Sequence, residues 1–84
     1  MEVRFTAHAL KRLEDRAIEP DWAEAAIREP DWTESDPSDP EITRFFRVGL
    51  AGDNRILRVA GRLEEKVVVV VTAFFDRGAR RRSE

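Results

Sequence analysis

Five consecutive valines, Val67–Val71, constrain the fold of this chain more than any other feature. β-Branched side chains favour strands, and a run that is apolar at every position fits a strand buried on both faces. The valines lie inside a longer apolar segment that predicts a strand over residues 66–75. This strand is expected at a central position in a sheet, so the rest of the chain must supply the sheet around it.

Two segments before this strand have the alternating pattern of antiparallel strands. Residues 42–50 and 55–62 alternate apolar with polar side chains, and Gly52-Asp53-Asn54 between them is typical of a hairpin turn. A short edge strand is expected over residues 31–35. The acidic, proline-rich segment of residues 36–40 predicts a loop rather than regular structure.

The N-terminal third has the helical period instead. Thr6 is a suitable N-cap for a first helix over residues 7–17, with its core side formed by Leu10, Leu13 and Ala17. Pro20 fits the first position of a second helix that ends near Arg28.

The pattern as a whole predicts one α+β domain over residues 1–84. Two N-terminal helices are expected to pack on one face of a three- to four-stranded antiparallel sheet. The charged segment of residues 76–84 is predicted to be a loose tail.

Composition argues against several classes of function. The chain has no cysteine and one histidine, so the sequence predicts neither a disulfide nor a metal site, and no cofactor is expected. We see no signal-peptide pattern at the start, and the valine run is too short to cross a bilayer. These features predict a cytoplasmic protein without a membrane partner.

Charge is distributed unevenly along the chain. The formal net charge of −2 argues against indiscriminate binding of nucleic acid. Residues 30–41 nevertheless hold five acids and no base, whereas residues 42–84 hold ten bases and five acids. Thirteen of the 15 basic residues are arginine, whose guanidinium fork matches phosphate oxygens. The alternative explanation for this excess of arginine over lysine is an arginine-rich genome or a warm habitat.

The first helix has a stripe of three candidate functional residues, His8, Arg12 and Arg16. Their spacing of four residues places them on one side of the helix, and His8 is the only histidine in the chain. One proton-transfer group beside two fixed cations is suited to phosphate chemistry. The alternative is a solvated helix face, on which Arg12 and Arg16 pair with acids such as Asp15 or Glu19.

The positions of several motifs together resemble a bacterial family, the small domain of unknown function numbered 4258. The resemblance extends from about Thr6 to Phe75. It rests on His8-Ala9-Leu10, Arg12, Arg16-Ala17-Ile18, Pro30-Asp31, Phe46, Leu57-Arg58-Val59 and Val70-Val71-Thr72-Ala73-Phe74.

This family is similar in layout to RelE/barnase-like endoribonucleases that need no metal, and many members resemble toxins of toxin–antitoxin pairs. The resemblance implies an RNA substrate, free or on the ribosome, and a cognate antitoxin as partner. It implies functional positions at His8, Arg12, Arg16 and Thr72. The family often has glycine where this chain has Ala17, which concerns the end of the helix rather than the chemistry.

Such a ribonuclease uses the RNA 2′-hydroxyl as its nucleophile, and His8 can be the base that takes its proton. Arg44, Arg47 and Arg58 are predicted to add substrate-binding charge from the sheet. A second proton carrier is missing, because the chain has neither a second histidine nor a tyrosine or cysteine. The sequence therefore leaves two hypotheses open: a slow or ribosome-assisted endoribonuclease, and a non-catalytic protein-interaction module that keeps the ribonuclease-like fold.

Overall fold

The computed structural model describes residues 1–79 as two helices and five strands. The elements in chain order are β1 (Glu2–Phe5), α1 (Ala7–Asp15), α2 (Pro20–Arg28), β2 (Trp32–Ser35), β3 (Ile42–Val48), β4 (Ile56–Glu64) and β5 (Val67–Phe75). The strands form one sheet in the order β1-β5-β4-β3-β2, so the valine-rich strand has a neighbour on each edge. The α+β class and the two N-terminal helices are confirmed.

The sheet differs from the prediction in size and direction. It has five strands and is mixed, because β1 pairs in parallel with β5, from Glu2 opposite Val67 to Phe5 opposite Val70. The other three pairings are antiparallel. A segment of four residues is too short to carry a distinctive alternation, and its pairing depends on a strand at the other end of the chain. The prediction of three to four antiparallel strands is therefore wrong in both respects.

The helices cover one face of the sheet, and the core lies between them. The largest fully buried side chains are Leu13, Leu57, Val59, Val68 and Val70. Leu10 is 46% exposed, contrary to its predicted place in the core, whereas Ala9 is fully buried. Helix α1 therefore faces the sheet with Ala9 and Leu13, and the small Ala9 side chain permits a close approach. Ala17 is also exposed, because the helix ends before it.

The opposite face of the sheet, called the open face here, also has aromatic packing. Trp32 of β2 lies flat on Phe46 of β3, with ring centroids 4.6 Å apart and planes at 3°. Phe46 is 2% exposed as a result. Trp32 of the edge strand is thus packed against the sheet.

Strand β5 contains an irregularity opposite β4. Ala60 is opposite Thr72 but Gly61 is opposite Val70, so Val71 is the extra residue of a bulge. A Cβ on Gly61 would lie 2.6 Å from Cγ1 of Val68, which explains the glycine at this position. The bulge turns Ala73 toward the helices and leaves Thr72 on the other side of the strand.

The start of α1 agrees with the sequence signals, whereas its end comes two residues before the predicted Ala17. Thr6 is the N-cap, and its hydroxyl accepts a hydrogen bond of 2.9 Å from the backbone N–H of Ala9. The helix ends at Asp15, and Ala17 adopts a left-handed conformation with φ of 55°. Left-handed geometry favours glycine, in agreement with the glycine that the resembled family often has here.

The chain after β5 is described only as far as Ala79. Within this segment the backbone N–H of Asp76 donates to the Ile56 carbonyl at 2.9 Å. The rest of the predicted charged tail, residues 80–84, lies outside the described residues. Over residues 1–79, neither helix has the length and apolar character needed to cross a membrane.

Candidate functional site

The end of α1 lies beside a stretch of β5 that β1 does not reach. Strand β1 ends at Phe5, opposite Val70, while β5 continues to Phe75. Arg16, the residue at the C-terminal end of α1, covers this stretch. Its Nη1 donates to the Ala73 carbonyl at 2.9 Å and to the Thr72 hydroxyl at 3.4 Å. The structure thus joins two predicted functional residues that are 56 positions apart in the chain.

His8 and Arg12 form a second pair on the same helix. Arg12 Nε donates to His8 Nε2 at 3.3 Å, and both side chains are exposed to solvent. In this contact Nε2 of His8 is the acceptor. Within residues 1–79 no hydrogen bond connects His8 with Thr72, and the site consists of two pairs along one helix side.

The stripe flanks the contact between α1 and the sheet. With Ala9 and Leu13 toward the core, helical geometry places the centre of the stripe about 80° from the buried side. With the predicted core side, which included Leu10, the centre of the stripe would lie well over 90° from the buried side of the helix. Because α1 faces the sheet with Ala9 rather than Leu10, the guanidinium of Arg16 is within reach of β5.

Arg12 and Arg16 are without carboxylate partners in the described part of the chain. No acid of residues 1–79 lies within 4.0 Å of either guanidinium. Asp15, a predicted partner, pairs with Lys11 instead, at 3.3 Å. Within residues 1–79, Arg12 and Arg16 therefore do not pair with neighbouring acids, contrary to the alternative of a solvated helix face with ion pairs.

Arg44 and Arg58 lie together on the open face, and each has an acidic partner. Arg44 is 3.3 Å from Asp36, and Arg58 donates to Asp76 at 3.0 Å. All four side chains are about four-fifths buried. Arg58 also lies 4.3 Å from the centre of the Phe74 ring, to which Arg16 lies at 5.7 Å. Arg58 is therefore the predicted substrate-binding residue that shares a neighbour with the stripe.

Arg47 lies on the other face of β3 from Arg44. Its Nη1 donates to the carbonyl of Glu29, the residue that follows α2, at 2.6 Å. This contact ties the end of α2 to the sheet. The structure therefore does not bring Arg47 together with the other predicted substrate-binding residues.

A groove of about 730 Å³ extends from Arg16 toward the β3–β4 hairpin, and we call it the hairpin groove. Sequence reasoning missed it, because residues 52–54 indicated only a turn. Its lining comprises Arg16, residues 53–56 and residues 74–77. The one sequence signal for the groove was Arg55. This residue directly follows the turn and precedes β4, whose first residues pair with the end of β5.

Two carboxylates near these arginines have lowered pKa values. The backbone N–H of Ser38 lowers the pKa of Asp36, with a further contribution from the Arg44 cation. The backbone N–H of Arg55 lowers the pKa of Asp53, and the guanidinium of Arg55 adds to this. Both acids are thus held as anions. Within residues 1–79, no three His, Asp or Glu side chains are grouped so that they could hold a metal ion.

Comparison with known proteins identifies one family. No curated protein and no solved structure matches the chain. A family model described as "Domain of unknown function (DUF4258)" matches residues 5–75, which include His8, Arg12, Arg16 and Thr72. The match covers most of the chain, from the end of β1 to the end of β5, and the protein therefore belongs to the DUF4258 family.

Proposed function

We propose that the protein is a metal-independent endoribonuclease toxin that cleaves RNA in the cytoplasm and is neutralised by a cognate antitoxin. One observation carries the proposal: the only histidine contacts Arg12 and shares its helix side with Arg16, and no carboxylate of residues 1–79 neutralises either arginine. Exposed cations without an acidic partner are free to bind a phosphate. The arrangement of two helices on one face of a sheet supports a RelE/barnase-like relationship.

The proposed reaction begins with proton removal from the RNA 2′-hydroxyl by His8. The 2′-oxygen forms a bond to phosphorus, the bond from phosphorus to the 5′-oxygen breaks, and the products are a 2′,3′-cyclic phosphate and a 5′-hydroxyl. The lone pair on His8 Nε2 that must take the proton is occupied by Arg12. Arg12 therefore has to exchange the imidazole for a phosphate oxygen, which couples substrate binding to release of the base.

Arg16 and Thr72 are proposed to hold the phosphate from the sheet side. Arg16 uses Nη1 for the Ala73 carbonyl and the Thr72 hydroxyl, which leaves its other N–H groups for a ligand. The Thr72 hydroxyl accepts from Arg16 and can donate its own proton to a phosphate oxygen. Donors fixed in this way stabilise the charge that develops on the pentavalent phosphate.

The leaving 5′-oxygen must receive a proton, and the protonated His8 or water is its proposed source. Arg58 and Arg44 remain proposed RNA contacts on the open face, where a phosphate would have to compete with Asp76 and Asp36. Arg47 would have to give up the Glu29 carbonyl in the same way. The chain has no second histidine, tyrosine or cysteine as a proton carrier, and these three arginines already have partners. We therefore expect slow cleavage by the free protein and faster cleavage on a ribosome.

Replacement of His8 tests the proposal. We expect His8→Ala to abolish growth arrest on expression and to lower the rate of RNA cleavage by about 10²- to 10⁴-fold, the usual contribution of a general base. Because His8 is exposed, the variant should keep the circular dichroism spectrum and Tm of the wild type. Arg62→Ala, which changes an arginine with two acidic partners, is the control. A folded His8→Ala protein with undiminished toxicity and cleavage would refute the proposal.

The second candidate is a non-catalytic protein-interaction module with the same fold. It is favoured by the internal partners of Arg44, Arg47 and Arg58, which leave little free charge on the sheet for RNA. In this case expression is harmless, a protein partner co-purifies, and titration with RNA shows no salt-dependent affinity.

A further inference from the structure

We propose that the hairpin groove binds the base of the RNA nucleotide next to the scissile phosphate. This inference rests on the proposed function in taking the bound strand to be RNA. The groove itself is a feature of the structure whether or not the protein cleaves RNA. The groove begins at Arg16, the last residue of the stripe, and extends to the β3–β4 hairpin and the end of β5. A strand whose phosphate is held by Arg12 and Arg16 therefore has its adjoining nucleotide at this groove.

The groove has a stacking platform that is already in position. The guanidinium of Arg55 lies over the Phe75 ring, 4.0 Å from its centre, and Asp53 holds it by a hydrogen bond of 2.8 Å. The Arg55 guanidinium thus lies against the Phe75 ring, while the side chain remains 54% exposed. Planar guanidinium groups and aromatic rings are the surfaces on which single-stranded bases stack.

The charge of the groove suits a nucleotide rather than an apolar ligand. Its two acids are neutralised, since Asp53 pairs with Arg55 and Asp76 pairs with Arg58. The lining cations Arg16 and Arg77 have no acidic partner within residues 1–79. The lining thus combines cations without acidic partners and apolar side chains, which matches a flat base attached to a phosphate.

The size and polarity of the groove agree with this occupant. Its volume of about 730 Å³ is within the usual range of small-molecule sites. Asn54 lines the groove, and its side-chain amide offers a donor and an acceptor to the edge of a base. Backbone phosphate contacts along the stripe would position the strand, and Asn54 would supply base preference.

The test measures binding without cleavage. The probe is a fluorescently labelled, fully 2′-O-methyl oligoribonucleotide, which lacks the nucleophile, and affinity is read by fluorescence anisotropy. Arg55→Lys retains the charge but removes the planar platform, and we expect it to weaken binding by at least about fivefold, the lower value of one base stack. Arg62→Lys, at the other end of β4 and also paired with acids, should change affinity by less than about twofold.

Failure of the groove and failure of the proposed function give different results. Equal affinities for wild type and Arg55→Lys, or no binding of the oligoribonucleotide by the wild type, would overturn the groove assignment whether or not the protein cleaves RNA. Weakened binding by Arg55→Lys together with no cleavage of natural RNA would support the groove and refute the ribonuclease. Competition by 5′-AMP as strong as that of the oligoribonucleotide would overturn the assignment to a strand.

Discussion

The arginines of the α1–β5 side and those beside the acidic loop have the same chemistry and opposite surroundings. On the loop side, Arg44 is 3.3 Å from Asp36, and Arg62 donates to Glu41 at 2.9 Å. On the α1–β5 side, Arg12 and Arg16 meet an imidazole, a hydroxyl and a carbonyl instead. The difference teaches that the location of the acids, rather than the number of arginines, determines where an anion can bind.

The sheet order explains the contrast. The acidic segment of residues 30–41 contains β2 and the loop before β3, and β2 is the edge strand next to β3. Its carboxylates therefore fall beside the arginines of β3 and β4. The other edge strand of the sheet is β1, and α1 packs on that side. Both are therefore far from the acidic segment. Within residues 42–79, Arg44 and Arg62 are thus paired with acids of this segment.

The largest expected difference between the two sides is in activity. We expect Arg16→Ala to lower RNA cleavage by about 10²-fold, since one lost phosphate donor commonly has an effect of that order. Arg62→Ala, on the loop side, should stay within about threefold of wild type. Initial rates on a single-stranded RNA would measure both. If the two variants lost activity equally, the comparison between the two sides would fail.

The next expected difference is in stability. Asp76→Ala leaves the mostly buried guanidinium of Arg58 unpaired and should lower the free energy of unfolding by about 1–2 kcal/mol. Asp15→Ala removes an exposed ion pair with Lys11 and should change it by less than about 0.5 kcal/mol. Urea denaturation of both variants is the measurement. A smaller loss for Asp76→Ala than for Asp15→Ala would contradict the structural difference between the pairs.

A smaller effect is expected at the end of α1, directly after Arg16. Ala17 has a φ of 55°, a conformation unfavourable for a residue with a Cβ, so Ala17→Gly should stabilise the fold by about 0.5–1 kcal/mol. Glu65, with a φ of 57° in the β4–β5 turn, is the matched position away from the site. Thermal unfolding of Ala17→Gly and Glu65→Gly tests this. A lower Tm for Ala17→Gly would show that the left-handed residue is not strained.

The smallest expected effect is a pH dependence of stability that arises from Asp36 on the loop side. The N–H of Ser38 and the Arg44 cation lower the pKa of Asp36 in the folded state, so its contribution to stability is present above the unfolded value of about 3.9. The contribution is lost as the pH falls from there through the lower folded value. The Tm difference between wild type and Asp36→Asn should therefore shrink below about pH 4. A difference that stays constant through this range would contradict the assignment.

The sequence predicted the elements better than their arrangement. Both helices, the four strands from β2 to β5 and the N-cap at Thr6 follow from local periodicity and capping, which neighbouring residues determine. Strand β1 did not, because within residues 1–79 its one strand partner is β5, and four residues carry little pattern of their own. Leu10 was misplaced because apolar character alone did not show that Ala9 gives the closer approach to the sheet.

For the candidate site, the sequence predicted the residues but not their partners. The spacing of His8 and Arg12 was enough to bring them into contact within one helix. The contact of Arg16 with Thr72 depends on the rotation of α1 and on the early end of β1, neither of which the sequence pattern indicates. The hairpin groove was missed because Arg55 and Phe75 come together only when β4 and β5 pair.

The pairing of the first strand with the last has a consequence for how the protein is made. Glu2 is opposite Val67, so a chain that is still being synthesised cannot complete its sheet until β5 has left the ribosome. Contacts between such distant residues also slow folding. Helix α1, with His8 and Arg12, emerges before β5, and the Thr72 that meets Arg16 emerges 56 residues after that arginine. A prematurely terminated chain that lacks β5 therefore carries the histidine without the surface that completes the site.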